Sequence, residues 1–200
     1  MRKRQRFNKQ DNQGIREEIN KALTVLKQGG LILYPTDTVW GIGCDATNFE
    51  AVQRIYELKQ REETKSMICL VDSIKMLQRY LEEVPEPAYD IIKLAGRPTT
   101  VIYDAPKHIA ENIISDDNTL GIRIASDAFC KQLIRSFKKP IVSTSANISG
   151  KPTPLSFSEI TDDILKGVDY VVNLQRKKRS LKASSIIKLT RDGVVTVIRK

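Results

Sequence analysis

The chain has 200 residues, of which 40% are hydrophobic and 28% charged, a composition typical of a single globular domain. Its net charge of +9 favours polyanionic ligands such as nucleic acids and nucleotides, although solubility alone would also account for it. Three separated cysteines, one histidine and the lack of a long apolar run argue against disulfides, a zinc site and a membrane span, which predicts a cytoplasmic protein.

Helical and extended patterns alternate along the chain after a basic start. Residues 1–12 predict a mobile, basic N-terminal arm rather than a secretory signal, because no apolar segment follows them. The predicted elements that follow are a helix at 15–26 stopped by Gly29 and Gly30, a strand at 31–34, a helix at 49–56 capped by Asn48, a strand at 67–71, two helices within 73–95, strands at 99–103 and 120–124, a helix at 126–137, a strand within 140–147, a helix at 159–165, and late strands at 168–173, 184–189 and 194–198. This alternation predicts an α/β domain, and the late strand-turn-strand pattern predicts a mixed sheet.

Two phosphate-binding patterns are matched only superficially. Residues 41–46 fit G-x-G-x-x-A, but "PTDTVW" separates them from the preceding strand, whereas a dinucleotide fold places its glycines directly after the strand. The "SGK" at 149–151 resembles the end of a phosphate loop, yet Ser145 stands at a required glycine and Pro152 at a required hydroxyl. Neither motif is assigned.

Hydroxyl-rich segments follow two predicted strands. "PTDTVW" at 35–40 and "STSANISG" at 143–150 place hydroxyls just past strand ends. In open α/β sheets ligands collect outside the carboxyl ends of strands, so both segments are expected to line one crevice that holds phosphate or carboxylate oxygens. An ordinary connection rich in turn formers would have the same composition.

A pair of cations follows the second predicted helix. In an extended exit from the helix, Lys59 and Arg61 would point the same way and could hold a polyphosphate in a solvent-accessible cleft. Their replacement is then expected to affect activity and not folding. The alternative is a solvated helix end whose cations favour the helix dipole.

Three segments in combination resemble the YrdC family of threonylcarbamoyl-AMP synthases: "YPTDTVWGIG" at 34–43, "KQR" at 59–61 and "STSANISG" at 143–150. "TLGIR" at 119–123 and "ASSII" at 183–187 match further family segments. The resemblance implies a YrdC-like domain at 13–200, a single α/β domain with a twisted, mixed, open β-sheet flanked by helices. Departures include Trp40 in place of the usual Tyr, and "AGRPTT" in place of P-G-P-x-T.

The resemblance also implies an activity. Such enzymes are nucleotidyltransferases that convert L-threonine, bicarbonate and ATP, with Mg²⁺, into threonylcarbamoyl-AMP and pyrophosphate. The product serves the threonylcarbamoyladenosine modification of tRNA, through downstream threonylcarbamoyl-transfer proteins. No metal ligand from a protein side chain is expected, because phosphates and water would hold the Mg²⁺.

The family's functional residues carry over to matching positions of this chain. Lys59 and Arg61 would hold the phosphates and act in catalysis, and Arg123, facing the same crevice as Ser143, would bind the threonine carboxylate. The implied threonine-binding residues are Thr38, Arg123 and Ser184, and the implied ATP-binding residues are Lys59, Arg61, Lys65, Thr119, Ser143, Ser145, Asn147, Thr153 and Arg199.

Two other classes of function remain open. A non-catalytic module of the same fold could bind tRNA or double-stranded RNA through the basic start and the run Arg176–Arg179, which could instead close over the nucleotide or be simply solvated. A structural assembly subunit is the third possibility. Release of pyrophosphate that depends on ATP and threonine separates the synthase from both.

Overall fold

Six α-helices and nine β-strands alternate within residues 9–62, 67–180 and 183–200, which are the residues that the computed structural model describes. In chain order they are α1 (Lys9–Lys27), β1 (Ile32–Tyr34), β2 (Gly41–Gly43), α2 (Phe49–Lys59), β3 (Ile68–Val71), α3 (Ile74–Leu77), α4 (Pro87–Leu94), β4 (Thr99–Asp104), β5 (Thr119–Ile124), α5 (Ala128–Phe137), β6 (Ile141–Ser145), α6 (Asp162–Gly167), β7 (Tyr170–Val171), β8 (Ser185–Leu189) and β9 (Val195–Arg199). The predicted α/β class is confirmed.

One mixed, open sheet contains these strands in the order β7-β1-β2-β6-β3-β5-β4-β8-β9. The pairs β1–β7, β3–β5 and β4–β8 are parallel, and the remaining pairs are antiparallel. Because β6 and β4 run opposite to β3 and β5, the central strands do not share one carboxyl edge. The two strands that precede the hydroxyl-rich segments, β1 and β6, are however each antiparallel to β2 and so run in the same direction, which places both segments at the same edge of the sheet.

The boundaries of the first two helices follow from local chemistry. α1 begins at Lys9, inside the range assigned to the basic arm, because residues 9–12 are polar but compatible with a helix and carry no apolar period to reveal it. Residues 1–8 lie outside the described residues. α1 ends at Lys27, and Gly29 adopts a φ of 75°, which suits glycine. The side chain of Asn48 accepts a hydrogen bond from the amide of Ala51 at 2.9 Å, so the predicted cap of α2 is confirmed.

Strand β2 was not predicted, since glycines at two of its three positions are unusual in strands. A Cβ on Gly43 would lie 2.5 Å from the carbonyl oxygen of Val142, so only glycine permits this close strand contact. The helix predicted at 159–165 is displaced. A 3₁₀ turn at Phe157–Glu159 precedes α6, because Ile160 is extended between them.

A buried glutamate fixes α1 to the β7 edge of the sheet. Glu18 Oε2 accepts hydrogen bonds from the hydroxyl of Tyr170 and the amide of Asn173, both at 2.6 Å. Burial by itself raises the pKa of Glu18, but these bonds and the ammonium of Lys21 lower it below its ordinary value. Within the described part of the chain, no helix has both the length and the apolar character needed to cross a membrane.

Candidate active site

A polar cleft of about 240 Å³ crosses one face of the sheet. Strand register explains its position: Ile68 pairs with Ser143 on one side and with Gly121 on the other, which puts Arg123, two residues on, on the same face. The predicted site residues that line this cleft are Thr38, Arg61, Arg123, Ser143, Ser145, Thr153, Ser184 and Arg199. Both hydroxyl-rich segments therefore contribute residues to the lining of one cleft, which extends over this face of the sheet.

Arg123 forms one end of the cleft and is 3% exposed. Its Nη2 lies 3.0 Å from Asp37 Oδ1 and donates to the hydroxyl of Thr38 at 3.3 Å. The other oxygen of Asp37 accepts hydrogen bonds from the amide and hydroxyl of Ser126, at 3.0 and 2.8 Å. Asp37 therefore neutralises the guanidinium as an ion pair, while Asp37 Oδ1 and Arg123 Nε are both buried without a hydrogen-bond partner among the described residues. A buried, oriented guanidinium at the end of a polar cleft is suited to a carboxylate.

The "PTDT" turn is held by its own hydroxyls. Thr36 Oγ1 donates to the carbonyl oxygen of Val39 at 2.7 Å and accepts from the amide of Thr38 at 3.0 Å. It also lies 3.0 Å from the hydroxyl of Thr38. The Thr38 hydroxyl is thereby fixed between Thr36 and Arg123, at the same end of the cleft.

Lys59 does not face solvent, so the expectation of an accessible pair is wrong. The residue is 1% exposed, and its Nζ donates to the carbonyl oxygens of Ser145 and Asn147, each at 2.5 Å. Gln60 adopts the left-handed conformation, with a φ of 48°, and turns the chain so that Arg61 alone of the two cations lines the cleft. Burial, together with repulsion from Arg61, lowers the pKa of Lys59 to about 8. Lys59 thus stabilises the backbone of the hydroxyl-rich segment 143–150 and does not itself line the cleft.

Arg199 and Ser184 are linked to each other within the lining of the same cleft. Arg199 Nε and Nη2 both donate to the carbonyl oxygen of Ser184, at 3.0 and 2.9 Å. The Ser184 hydroxyl lies 2.9 Å from that of Thr100, and both side chains are buried. The two hydrogen bonds from Arg199 and the contact between Ser184 and Thr100 hold the segment before β8 against β9 and β4.

Two of the remaining predicted residues lie away from the lining, and one cannot be placed. Thr119 is buried at the start of β5, where its hydroxyl donates to Asp117 at 2.7 Å and lies 3.0 Å from that of Ser115, so it is not among the lining residues. Asn147 borders an adjoining cavity of about 540 Å³ that shares Thr153 with the cleft. Lys65 lies outside the described residues.

An aromatic stack anchors the basic loop beside this site. The rings of Trp40 and Phe157 are 5.0 Å apart, and the guanidinium of Arg176 lies 4.5 Å above Phe157. Gln175 also donates to Asp127 at 3.1 Å. The sequence does not distinguish Arg176 from the other cations of the run 176–179, and only its contact with the ring of Phe157 does so.

The comparisons with known proteins agree on the family. The Sua5/YciO/YrdC family model, described as telomere recombination, matches residues 24–200. A threonylcarbamoyl-AMP synthase of Pseudoalteromonas translucida is 35% identical over 158 residues, which cover 78% of this chain and 84% of that protein.

Two solved structures of P. abyssi Sua5 share the fold. A substituted form has a TM-score of 0.83 and 27% identity, covering 98% of this chain and 58% of the longer Sua5 chain. A complex with L-threonine has a TM-score of 0.77 and 28% identity, covering 86% of this chain and 50% of that chain. The chain described here therefore belongs to the Sua5/YciO/YrdC family.

Proposed function

We propose that the protein is a nucleotidyltransferase that makes threonylcarbamoyl-AMP and pyrophosphate from L-threonine, bicarbonate and ATP. The observation that carries this proposal is the cleft with a buried, oriented Arg123 at one end and Arg61, Arg199 and hydroxyls along its walls. The name of the P. translucida relative and the threonine complex of P. abyssi Sua5 support the same substrates.

The proposed chemistry needs positioning and charge neutralisation. Arg123 holds the threonine carboxylate, with the hydroxyls of Thr38 and Ser184 beside it. The amine of threonine combines with bicarbonate to give a carbamate and water. A carbamate oxygen then bonds to the α-phosphorus of ATP as the bond to pyrophosphate breaks, and Arg61 and Arg199 offset the negative charge.

Mg²⁺ is proposed to enter with ATP as part of the substrate. Within the described residues, no three His, Cys, Asp or Glu side chains are grouped as metal ligands, and no carboxylate is among those that line the cleft. Asp37 is engaged by Arg123 and Ser126. Phosphate oxygens and water would therefore supply the Mg²⁺ ligands.

The purified protein is expected to release pyrophosphate only when ATP, L-threonine and bicarbonate are all present. Threonine dependence follows from the carboxylate-binding end of the cleft, and bicarbonate dependence from the need for a carbamate nucleophile. The measurement is pyrophosphate release with each substrate omitted in turn. Equal release without threonine would indicate a plain ATP pyrophosphatase and contradict the proposal.

The partners and the location are proposed on the same basis. The product would serve threonylcarbamoyl transfer to tRNA in the cytoplasm by downstream proteins. Direct RNA binding, as a second candidate function, is favoured by the exposed cations Lys177, Lys178 and Arg179, which follow the anchored Arg176.

Replacing Lys177, Lys178 and Arg179 by alanine is expected to weaken the salt dependence of tRNA binding and leave pyrophosphate release unchanged. If three to five phosphates are contacted, the logarithm of affinity falls against that of salt with a slope of about −3 to −4.5, and the triple variant flattens it by about two. Binding is measured by titration at several salt concentrations. A reduced rate with an unchanged slope would make the loop an active-site lid, and no change in either would make it a solvated loop.

A further inference from the structure

A second cavity, of about 420 Å³, lies on the face of the sheet opposite to Arg123; we call it the rear pocket. Val101 and Ile124 belong to its floor, and each directly follows a residue of the cleft side, Thr100 and Arg123. Successive residues of a strand face opposite sides of the sheet, so the rear pocket and the cleft are separated only by β4 and β5.

The rear pocket combines an apolar floor with a cationic rim. Ile91 and Ile92 of α4 complete the floor, and Arg97 and Lys131 stand at the rim. Neither cationic side chain has an ion pair or hydrogen bond with another described residue, and no carboxylate is among the described lining residues. Arg97 also stands where the family motif has proline, so this charge distinguishes the chain from the pattern it otherwise resembles.

Ser126 connects the rear pocket to the cleft. It lines the rear pocket, and its hydroxyl donates to Asp37 Oδ2 at 2.8 Å. The other oxygen of Asp37 is the counter-ion of Arg123. An anion that takes the Ser126 hydroxyl would remove a donor from Asp37, and the less satisfied carboxylate would bind Arg123 more strongly. Arg123 would then be less available to a substrate carboxylate.

We propose that the rear pocket binds a small organic anion with an apolar body, and that this binding weakens the binding of threonine through Ser126. The apolar floor accommodates the body, and Arg97 and Lys131 hold a carboxylate or phosphate head. The first part stands on the rear pocket alone, whereas the second rests on the proposed function, because it takes Arg123 as the binder of threonine.

Binding is tested by calorimetric titration of the full chain with octanoate, with octanol and with inorganic phosphate. Octanoate is expected to bind with a dissociation constant on the order of 1 mM. Octanol and phosphate should bind at least about tenfold more weakly, because octanol lacks the charged head and phosphate lacks the apolar body. The double variant Arg97→Ala, Lys131→Ala should weaken octanoate binding at least about tenfold. The charge-matched control Lys75→Ala, Lys93→Ala, at exposed positions outside the lining, should not. Equal binding of octanol and octanoate, or equal losses in both double variants, would overturn the site.

The connection is tested by titrating threonine with and without saturating octanoate. We expect the dissociation constant of threonine to rise about threefold or more in the wild type and to stay constant in Ser126→Ala, which should still bind octanoate. An unchanged threonine affinity in octanoate-saturated wild type would refute the connection. If threonine does not bind even without octanoate, the proposed function fails, while the octanoate titration still decides whether the rear pocket is a site.

Discussion

Replacing Arg123 by lysine is expected to raise the KM for L-threonine by about 30-fold to 150-fold, while the KM for ATP changes by less than about threefold. The guanidinium contacts Asp37 and Thr38 through Nη2. A planar fork can hold those groups and a substrate carboxylate together, whereas lysine offers a point charge. Losing the charge-assisted hydrogen bonds to the carboxylate costs about 2 to 3 kcal/mol. Pyrophosphate-release kinetics at varied threonine and varied ATP measure both constants.

Arg123→Lys keeps a positive charge beside the buried Asp37, so its Tm should stay close to that of the wild type. Arg123→Ala instead leaves Asp37 unpaired and should lose about 3 to 5 kcal/mol of stability. The lysine variant therefore separates substrate recognition from folding. An equal rise in the KM of both substrates, or an unchanged threonine dependence, would remove Arg123 from the threonine site.

Lys59→Met is expected to reduce pyrophosphate release by about 100-fold or more and to lower the Tm by roughly 4 to 8 °C. The substitution leaves the carbonyl oxygens of Ser145 and Asn147 without their buried donor. The penalty for these carbonyls is partly offset because a buried ammonium is removed, for a net loss of about 2 kcal/mol. Arg61→Ala is the contrasting control, since Arg61 lines the cleft and its loss should reduce activity with a smaller change in Tm. Similar Tm values for both variants would contradict the supporting role of Lys59.

Lys59 also predicts opposite pH trends for stability and activity. Its pKa is lowered from 10.5 to about 8, so between these pH values the unfolded chain binds more protons at this position than the folded chain. The free energy of unfolding should therefore rise with pH across this window, and the Lys59→Met variant should lack this contribution to the rise. The value of kcat/KM for ATP should fall above about pH 8 if ATP binds in the cleft as proposed, because the free enzyme loses a positive charge next to Ser145 and Asn147. Stability and activity that fall together in the wild type would contradict this assignment.

Patterns within single elements allowed most of the fold to be predicted. The apolar periods of α1, α2 and α5 and the apolar runs of β3 and β5 are local properties, and the structure contains all of these elements. Strand β2 is different, because "GIG" has little tendency to be extended on its own. It is a strand because it pairs with β1 on one side and β6 on the other. That pairing depends on tertiary structure, which a local pattern does not carry.

The candidate site was predictable in its residue types and less so in its geometry. The hydroxyls at Thr38, Ser143 and Ser145 do meet in one cleft. Asp37 was missed, because a lone acid in a polar turn has no distinguishing pattern until Arg123 is seen beside it. Arg61 rather than Lys59 lines the cleft because Gln60 adopts the left-handed conformation. Residues other than glycine rarely adopt this conformation, so the sequence does not indicate it.

The distribution of the cleft residues along the chain bears on how the protein folds. Thr38, Arg123 and Arg199 come from widely separated segments, and β9 must pair with β8 before Arg199 can reach the cleft. Contacts between distant segments form late, because the entropy of closing long loops opposes them. A partly folded chain in which β8 has not yet paired with the distant β4 therefore has no complete ligand site. A ligand that binds across this cleft would consequently stabilise only the finished sheet, and it would not trap the incomplete states that precede it.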